Sequence, residues 1–132
     1  MTPIAFVVDD SMLIRHTVCR YLEELGCRVE SATNGEEALE MLRDLHPHII
    51  ITDLQMPKMD GYQLIQALKN APETSSIPIV ILAAATSRAE KFLEARADFV
   101  VFKDIDIENQ LRQVLQKALL LSDGPPQNSP QG

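Results

Sequence analysis

The residues best suited to chemistry in this sequence are three carboxylates and one lysine, each at the end of an apolar run. Asp9 and Asp10 follow one such run, Asp53 follows a second, and Lys103 follows a third. If the runs are parallel strands of one sheet, their carboxyl ends share an edge, and ligands of open α/β sheets bind in the crevice at that edge. We therefore expect the four side chains to lie together in one site.

This combination of side chains favours phosphoryl transfer assisted by a metal ion. Crowded carboxylates repel one another, and one takes up a proton, unless a cation lies among them. Mg²⁺ suits such a site because it prefers carboxylate, water and phosphate oxygens. With Mg²⁺ held directly by Asp10 and through water by Asp9, Asp53 stays ionised and can attack a phosphoryl group to give an aspartyl phosphate. Lys103 would then contact a phosphoryl oxygen.

Each of these residues, taken alone, has a simpler explanation. An aspartate after a strand often caps the next helix, as Asp9 and Asp10 could do here. Lys103 alone would be read as a solvated loop residue. The residue types and their common edge are harder to explain in this way, so we predict a shared acidic site.

The overall composition is that of one globular domain. The chain has 132 residues, of which 45% are hydrophobic and 23% charged, as in ordinary soluble domains. A formal charge of −7 without a Lys/Arg cluster argues against nucleic-acid binding. No apolar stretch reaches transmembrane length, so no membrane association is expected. Cys19 and Cys27 are too few for a disulfide framework, and the N-terminus lacks the layout of a signal peptide, so we expect free thiols and a cytoplasmic location.

Hydrophobic periodicity indicates the elements that position these residues. Strands are predicted at 4–8, 27–31, 49–52, 79–82 and 98–102, and helices at 11–25, 34–45, 60–70, 87–96 and 105–121. Their alternation predicts an α/β fold, a doubly wound (βα)5 sandwich around a parallel five-stranded sheet. The flavodoxin-like strand order 2-1-3-4-5 places the weak second strand at an edge. The domain is predicted to span 1–121, followed by a disordered tail at 122–132, which is rich in Pro.

The chain resembles the receiver domain of two-component response regulators, in its stand-alone, single-domain form. The resemblance covers about residues 4–121 and depends on three motifs, which are Phe6-Val7-Val8-Asp9-Asp10-Ser11, Asn34-Gly35-Glu36-Glu37-Ala38-Leu39 and Asp53-Leu54-Gln55-Met56-Pro57-Lys58-Met59-Asp60-Gly61.

The resemblance implies a role for each candidate residue. Asp53 would be the phosphoacceptor, and Mg²⁺ would be held by Asp9, Asp10, Asp53 and the backbone carbonyl of Gln55. Lys103 matches the lysine that follows the fifth strand in the family. The phosphoryl donor would be a sensor histidine kinase, a phosphotransfer protein or a small molecule such as acetyl phosphate. The output would require a separate downstream protein or an oligomer, and a homodimer is left open.

Some positions depart from the family pattern. Ala83 stands where the family usually has Thr or Ser at the end of the fourth strand, and it cannot hydrogen-bond a phosphoryl group. Val100 replaces the usual aromatic residue three positions before the lysine. Lys103 is followed by Asp104 instead of a cis-proline, so a trans peptide bond is expected there. These changes fall on the face that normally reports phosphorylation to partners.

Three functions therefore stay open. The first is a phosphorylatable receiver in a two-component phosphorelay, which is a signalling module and not an enzyme. The second is a degenerate receiver that binds a partner independently of phosphorylation, because Ala83 and Val100 replace the usual switch residues. The third is a Mg²⁺-dependent phosphohydrolase of the haloacid-dehalogenase type. That class needs an aspartate two residues after the nucleophile, where this chain has Gln55, which cannot shuttle protons.

Overall fold

The fold is described from a computed structural model that covers residues 2–84 and 96–123. The five strands are β1 Ile4–Val8, β2 Arg28–Ala32, β3 Ile49–Asp53, β4 Ile79–Ala83 and β5 Phe99–Phe102. The helices within the covered residues are α1 Met12–Glu24, α2 Gly35–Met41, α3 Gly61–Asn70 and α4 Ile107–Asp123. All strand pairs are parallel, in the order β2-β1-β3-β4-β5. The predicted fold class and strand order are confirmed.

The sheet separates two apolar cores, because successive residues of a strand face opposite sides. Val7, Ile51 and Leu82 pack with α1 and α4 on one side. Phe6 and Ile50 pack with α2 and α3 on the other side. The central strands are thus buried on both faces, which explains their continuous runs of β-branched residues. This burial fixes the strands, and with them the carboxyl edge of the sheet.

Helix caps hold the first turns of α2 and α3 at that same edge. Asn34 accepts the N–H of Glu37 at 2.9 Å. Asp60 accepts the N–H of Gln63 at 2.9 Å, and the Gln63 side chain accepts the N–H of Asp60 at 3.1 Å. The second pair is a capping box, which satisfies donors that a helix start otherwise leaves free. Asn34 and Asp60 are the first residues of the helices predicted at 34–45 and 60–70, so the predicted starts agree with the observed caps.

Some predicted boundaries were wrong. Helix α2 was predicted to run through residue 45, but it ends at Met41, because the N–H groups of Arg43 and Asp44 bond carbonyls three residues back. Such tighter turns commonly end a helix. Helix α4 continues to Asp123, two residues into the predicted tail at 122–132. The rest of that tail and nearly all of the helix predicted at 87–96 lie outside the described residues.

Two further expectations concern the peptide after Lys103 and membrane association. The peptide bond between Lys103 and Asp104 is trans as expected, since residues 2–84 and 96–123 contain no cis bond. Every helix in that part of the chain is too short or too polar to cross a lipid bilayer.

Candidate functional site

The sheet brings the predicted carboxylates and lysine together. One carboxylate oxygen from each of Asp9, Asp10 and Asp53 lies within 4.8 Å of the others. The Nζ atom of Lys103 lies 3.2 Å from Oδ2 of Asp53 and 3.9 Å from Oδ2 of Asp9. The carboxyl ends of β1, β3 and β5 therefore meet in one acidic site that includes the ammonium group of Lys103, as the sequence predicted.

Asp9 is the buried member of the site. Its side chain is 0% exposed, and its Oδ1 atom accepts the N–H of Ser11 at 2.8 Å. No donor from residues 2–84 or 96–123 bonds Oδ2, and 3.9 Å to Lys103 is an ionic contact too long for a hydrogen bond. Burial raises the pKa of Asp9, the Ser11 bond opposes this rise, and the charge of Asp53 adds to it. Oδ2 is therefore a buried anionic atom that a cation would satisfy.

The turn that carries Asp9 and Asp10 is fastened to the start of α1. Ser11 caps the helix by accepting the N–H of Ile14 at 3.3 Å. Arg15 donates from Nη1 to the backbone carbonyl of Asp9 at 2.8 Å. Because of these bonds, the buried Asp9 and the exposed Asp10 keep fixed directions relative to the sheet.

Asp53 ends β3 with its two carboxylate oxygens in different environments. Oδ1 accepts the N–H of Leu54 at 2.7 Å and lies 3.5 Å from the N–H of Gln55. Oδ2 faces Lys103. The carboxylate borders a cleft of about 190 Å³ that is also lined by Gln55, Tyr62, Ala83 and Lys103. One oxygen is thus held by the backbone, and the other points towards the lysine.

Gly61 allows the loop after Asp53 to close tightly. Its N–H donates to the carbonyl of Leu54 at 2.8 Å. A Cβ atom at this position would lie 2.7 Å from Cα of Leu54 and still closer to the carbonyl oxygen of Asp53. Glycine is therefore required by the close approach of two backbones. Gly61 falls within the helix predicted at 60–70, but no pattern in the sequence indicates this contact.

Of the residues that depart from the family pattern, Ala83 lines the cleft beside Asp53 and Val100 packs against the apolar core. Ala83 ends β4 at 4% exposure, and its register partner on β5 is Phe102. Val100 pairs with Ile81 and packs on the side of α2 and α3. Ala83 therefore presents a methyl group to the cleft beside Asp53, where the family usually has a hydroxyl.

Comparison with protein families identifies the domain. The family model described as "Response regulator receiver domain" matches residues 5–116. The chain belongs to this family. Receiver domains are signalling modules of two-component systems, for which phosphorylation, Mg²⁺ binding and interaction with histidine kinases or phosphotransfer proteins are general features.

Individual relatives agree with this assignment. Protein PilG of Pseudomonas aeruginosa is 42% identical over 76 residues, which cover 58% of this receiver domain and 56% of PilG. The chemotaxis response regulator CheY4 of Vibrio cholerae is 31% identical, with a TM-score of 0.81 over 90% of this chain and all of that chain. The receiver domain of the histidine kinase PA1611 of Pseudomonas aeruginosa, solved with a magnesium ion in its active-site cleft, shares the fold at 21% identity, with a TM-score of 0.82 over 90% of this chain and 98% of that one.

The aligned segments cover only part of the curated relatives. This receiver domain spans about half or less of the length of the curated relatives that match it first.

The burial of Asp9 leads to a prediction about stability. We expect Asp9→Asn to raise the free energy of unfolding of the metal-free domain at neutral pH by about 1–2 kcal/mol, because it removes a buried charge without a hydrogen bond on Oδ2. Asparagine can still accept the N–H of Ser11. The pKa of Asp9 is raised in the fold, so its ionised form destabilises the domain above that pKa, and this cost decreases as the pH falls from the raised pKa to the ordinary pKa of an aspartate. The difference in the free energy of unfolding between Asp9→Asn and the wild type should therefore become smaller at acidic pH.

Denaturant titrations in EDTA at several pH values would measure this difference, with Asp10→Asn as the control because Asp10 is exposed. Excess Mg²⁺ should then stabilise the wild type more than Asp9→Asn. An Asp9→Asn domain that is less stable than wild type at neutral pH without metal would contradict the expectation.

Proposed function

We propose that this receiver domain accepts a phosphoryl group on Asp53 in a two-component phosphorelay. The observation that carries the proposal is the contact of Lys103 with Oδ2 of Asp53, directly beside the buried Oδ2 of Asp9 that lacks a hydrogen bond. A structural ion pair would explain the lysine, but it would leave the buried Asp9 oxygen unexplained. A site that takes up a cation and a phosphoryl group accounts for both.

The donor set fits Mg²⁺. Asp9, Asp10 and Asp53 offer three carboxylate oxygens in close proximity, and the backbone carbonyl of Gln55 is the further ligand that we propose. Hard oxygen atoms are the ligands that Mg²⁺ prefers. When bound, the ion would supply positive charge to the carboxylates and to a phosphoryl group.

The side chains of the domain have distinct tasks in the transfer. The N–H of Leu54 holds Oδ1 of Asp53, which leaves Oδ2 as the attacking oxygen. A bond forms between this oxygen and phosphorus while the bond from phosphorus to the donor breaks and the donor leaves with its electron pair. Lys103, now 3.2 Å from Oδ2, is placed to contact a phosphoryl oxygen as negative charge shifts onto that group.

Exposed apolar side chains close in sequence to the site residues support a protein as the donor. Met12 is 75% and Leu13 73% exposed at the start of α1, close in sequence to Asp10, and Ile105 is 57% exposed two residues after Lys103. Large apolar side chains that stay exposed in the free domain can be buried by a docking protein. We propose a sensor histidine kinase or a phosphotransfer protein as the partner. We also propose a cytoplasmic location, which suits the free thiols of Cys19 and Cys27.

A second candidate function is a phosphorylation-independent interaction module. Ala83 and Val100 favour it, because neither side chain can make the hydroxyl–aromatic switch that the family uses. A titration with Mg²⁺ and beryllofluoride, followed by amide NMR on the wild type and on Asp53→Ala, would separate the two functions.

The titration has three informative outcomes. We expect Mg²⁺-dependent beryllofluoride binding by the wild type and none by Asp53→Ala. Shifts that spread along β5 would indicate a switch by another route, and shifts confined to Asp9, Asp10, Asp53 and Lys103 would indicate a phosphorylatable site without the usual output. No response of the wild type would contradict the proposed function and favour the interaction module.

A further inference from the structure

The side chain of Gln110 on α4 occupies the open edge of β5. Its Oε1 atom accepts the N–H of Phe102 at 2.9 Å, and its Nε2 atom donates to the carbonyl of Phe102 at 2.9 Å. Nε2 also donates to the carbonyl of Ile105. The side-chain amide thus pairs with Phe102 as a neighbouring strand would, and the donor and the acceptor of Phe102 fix the orientation of the amide.

The bonds from the Gln110 side chain to Phe102, here called the clamp, hold the residue directly before Lys103. The N–H of Lys103 donates to the carbonyl of Ala83 on β4 at 2.8 Å. The backbone around Lys103 is therefore held from both sides, by β4 through its own N–H and by α4 through the Phe102 peptide. The third bond, to Ile105, closes the loop that follows the lysine.

The sequence around the lysine gives the clamp its importance. The family usually has a proline after this lysine, and this chain has Asp104. Proline would restrict the backbone by its ring, and aspartate has no such ring. Three hydrogen bonds from one half-buried side chain provide the restriction instead.

We propose that Gln110 is a positioning residue that holds Lys103 against the Asp53 carboxylate. Its position is set by the N-terminal end of α4, where the Asn109 N–H lies 3.4 Å from Oδ1 of Asp106 and the Gln110 N–H donates to the Asp106 carbonyl at 3.2 Å. Loss of the clamp frees the Phe102 peptide and allows the lysine to move away from Oδ2 of Asp53. The effect of Gln110 on phosphoryl transfer rests on the proposed function. Its effect on the position of Lys103 can be observed without any phosphorylation.

The first test needs no phosphorylation and compares Gln110→Ala with Gln113→Ala, an exposed glutamine on the same helix. We expect hydrogen exchange of the Phe102 amide to accelerate by about tenfold or more in Gln110→Ala, because the amide loses its acceptor. The Lys103 amide and side-chain Cε resonances should shift as well. Gln113→Ala should change none of these signals. Unchanged Lys103 resonances in a folded Gln110→Ala domain would overturn the inference.

The second test asks whether Gln110 acts on transfer through the lysine. Acetyl phosphate with Mg²⁺ would phosphorylate the wild type, Gln110→Ala, Lys103→Ala and the double variant. Gln110→Ala should slow the reaction by about threefold to tenfold, which corresponds to the net value of one hydrogen bond. It should have no further effect in the Lys103→Ala background, since the group that it positions is gone.

The outcomes of the two tests separate this inference from the proposed function. An equal slowing in both backgrounds would mean that Gln110 supports the fold in general and would overturn the inference. Failure of the wild type to accept phosphate would refute the proposed function, and the Lys103 resonances of the first test would then decide the positioning role.

Discussion

Replacing Lys103 by alanine should slow the phosphorylation of Asp53 by about 10²-fold, the effect of removing one donor that stabilises charge in a transition state. Nζ lies 3.2 Å from Oδ2 of Asp53, in a side chain that is 24% exposed. The ammonium group is thus close enough to stabilise the negative charge that develops on a phosphoryl oxygen. Binding of Mg²⁺ should be retained, because the substitution removes a positive charge from a site that attracts cations.

Single-turnover phosphate incorporation from acetyl phosphate would measure the loss. Lys69→Ala is the matched control, since Lys69 forms an equally short ion pair of 3.2 Å with Asp98 but takes no part in the site. We expect Lys69→Ala to lower stability without slowing transfer, and Lys103→Arg to retain part of the rate because the charge remains. A Lys103→Ala rate within about twofold of wild type would show that the lysine does not stabilise the transition state.

Replacing Gly61 by alanine should lower the free energy of unfolding by about 3 kcal/mol, although alanine is usually the better helix residue. Removing glycine from an ordinary helical position stabilises by about 0.5–1 kcal/mol. Here the new Cβ would meet the backbone of Asp53 and Leu54, which cannot rotate away. The free-energy cost of the steric overlap therefore exceeds the gain from the better helix propensity of alanine, and the loop that carries Asp53 and Gln55 must move.

Gly26→Ala provides the comparison for this prediction. Gly26 has φ +99°, and a Cβ atom added there would meet no neighbouring atom of residues 2–84 or 96–123 within 4 Å. Alanine should therefore cost only the strain of the left-handed backbone, about 1 kcal/mol. Denaturant titrations would rank the variants, and Mg²⁺ titrations should show weaker binding in Gly61→Ala alone. A Gly61→Ala domain as stable as wild type would contradict the steric argument.

The features that sequence patterns could predict are those with local or periodic causes. The predicted helices at 34–45 and 60–70 start at Asn34 and Asp60, and both residues cap the observed helices, because a short polar side chain at a helix start bonds a nearby N–H. The meeting of Asp9, Asp53 and Lys103 followed from topology, since parallel strands of order 2-1-3-4-5 bring the carboxyl ends of β1, β3 and β5 to one edge.

The features that could not be predicted depend on how neighbouring elements pack and on the exact path of the backbone, which residue types and periodicity do not encode. Gln110 gives no signal in the sequence, because its bonds to Phe102 depend on how α4 packs beside the edge of β5. The close approach at Gly61 depends on the path of the loop after Asp53. Helix α2 ended early because its last turn tightens after Met41, although the apolar periodicity continues beyond it.

The role of Asp53 as phosphoacceptor can be tested by locating the phosphoryl group on the wild-type chain. Treatment with acetyl phosphate and Mg²⁺, reduction of the acyl phosphate with borohydride and peptide mass mapping would identify the modified residue. We expect a single modification at Asp53, and none when EDTA removes the metal. No modification, or modification at another carboxylate such as Asp10, would contradict the assignment of Asp53 as the phosphoacceptor.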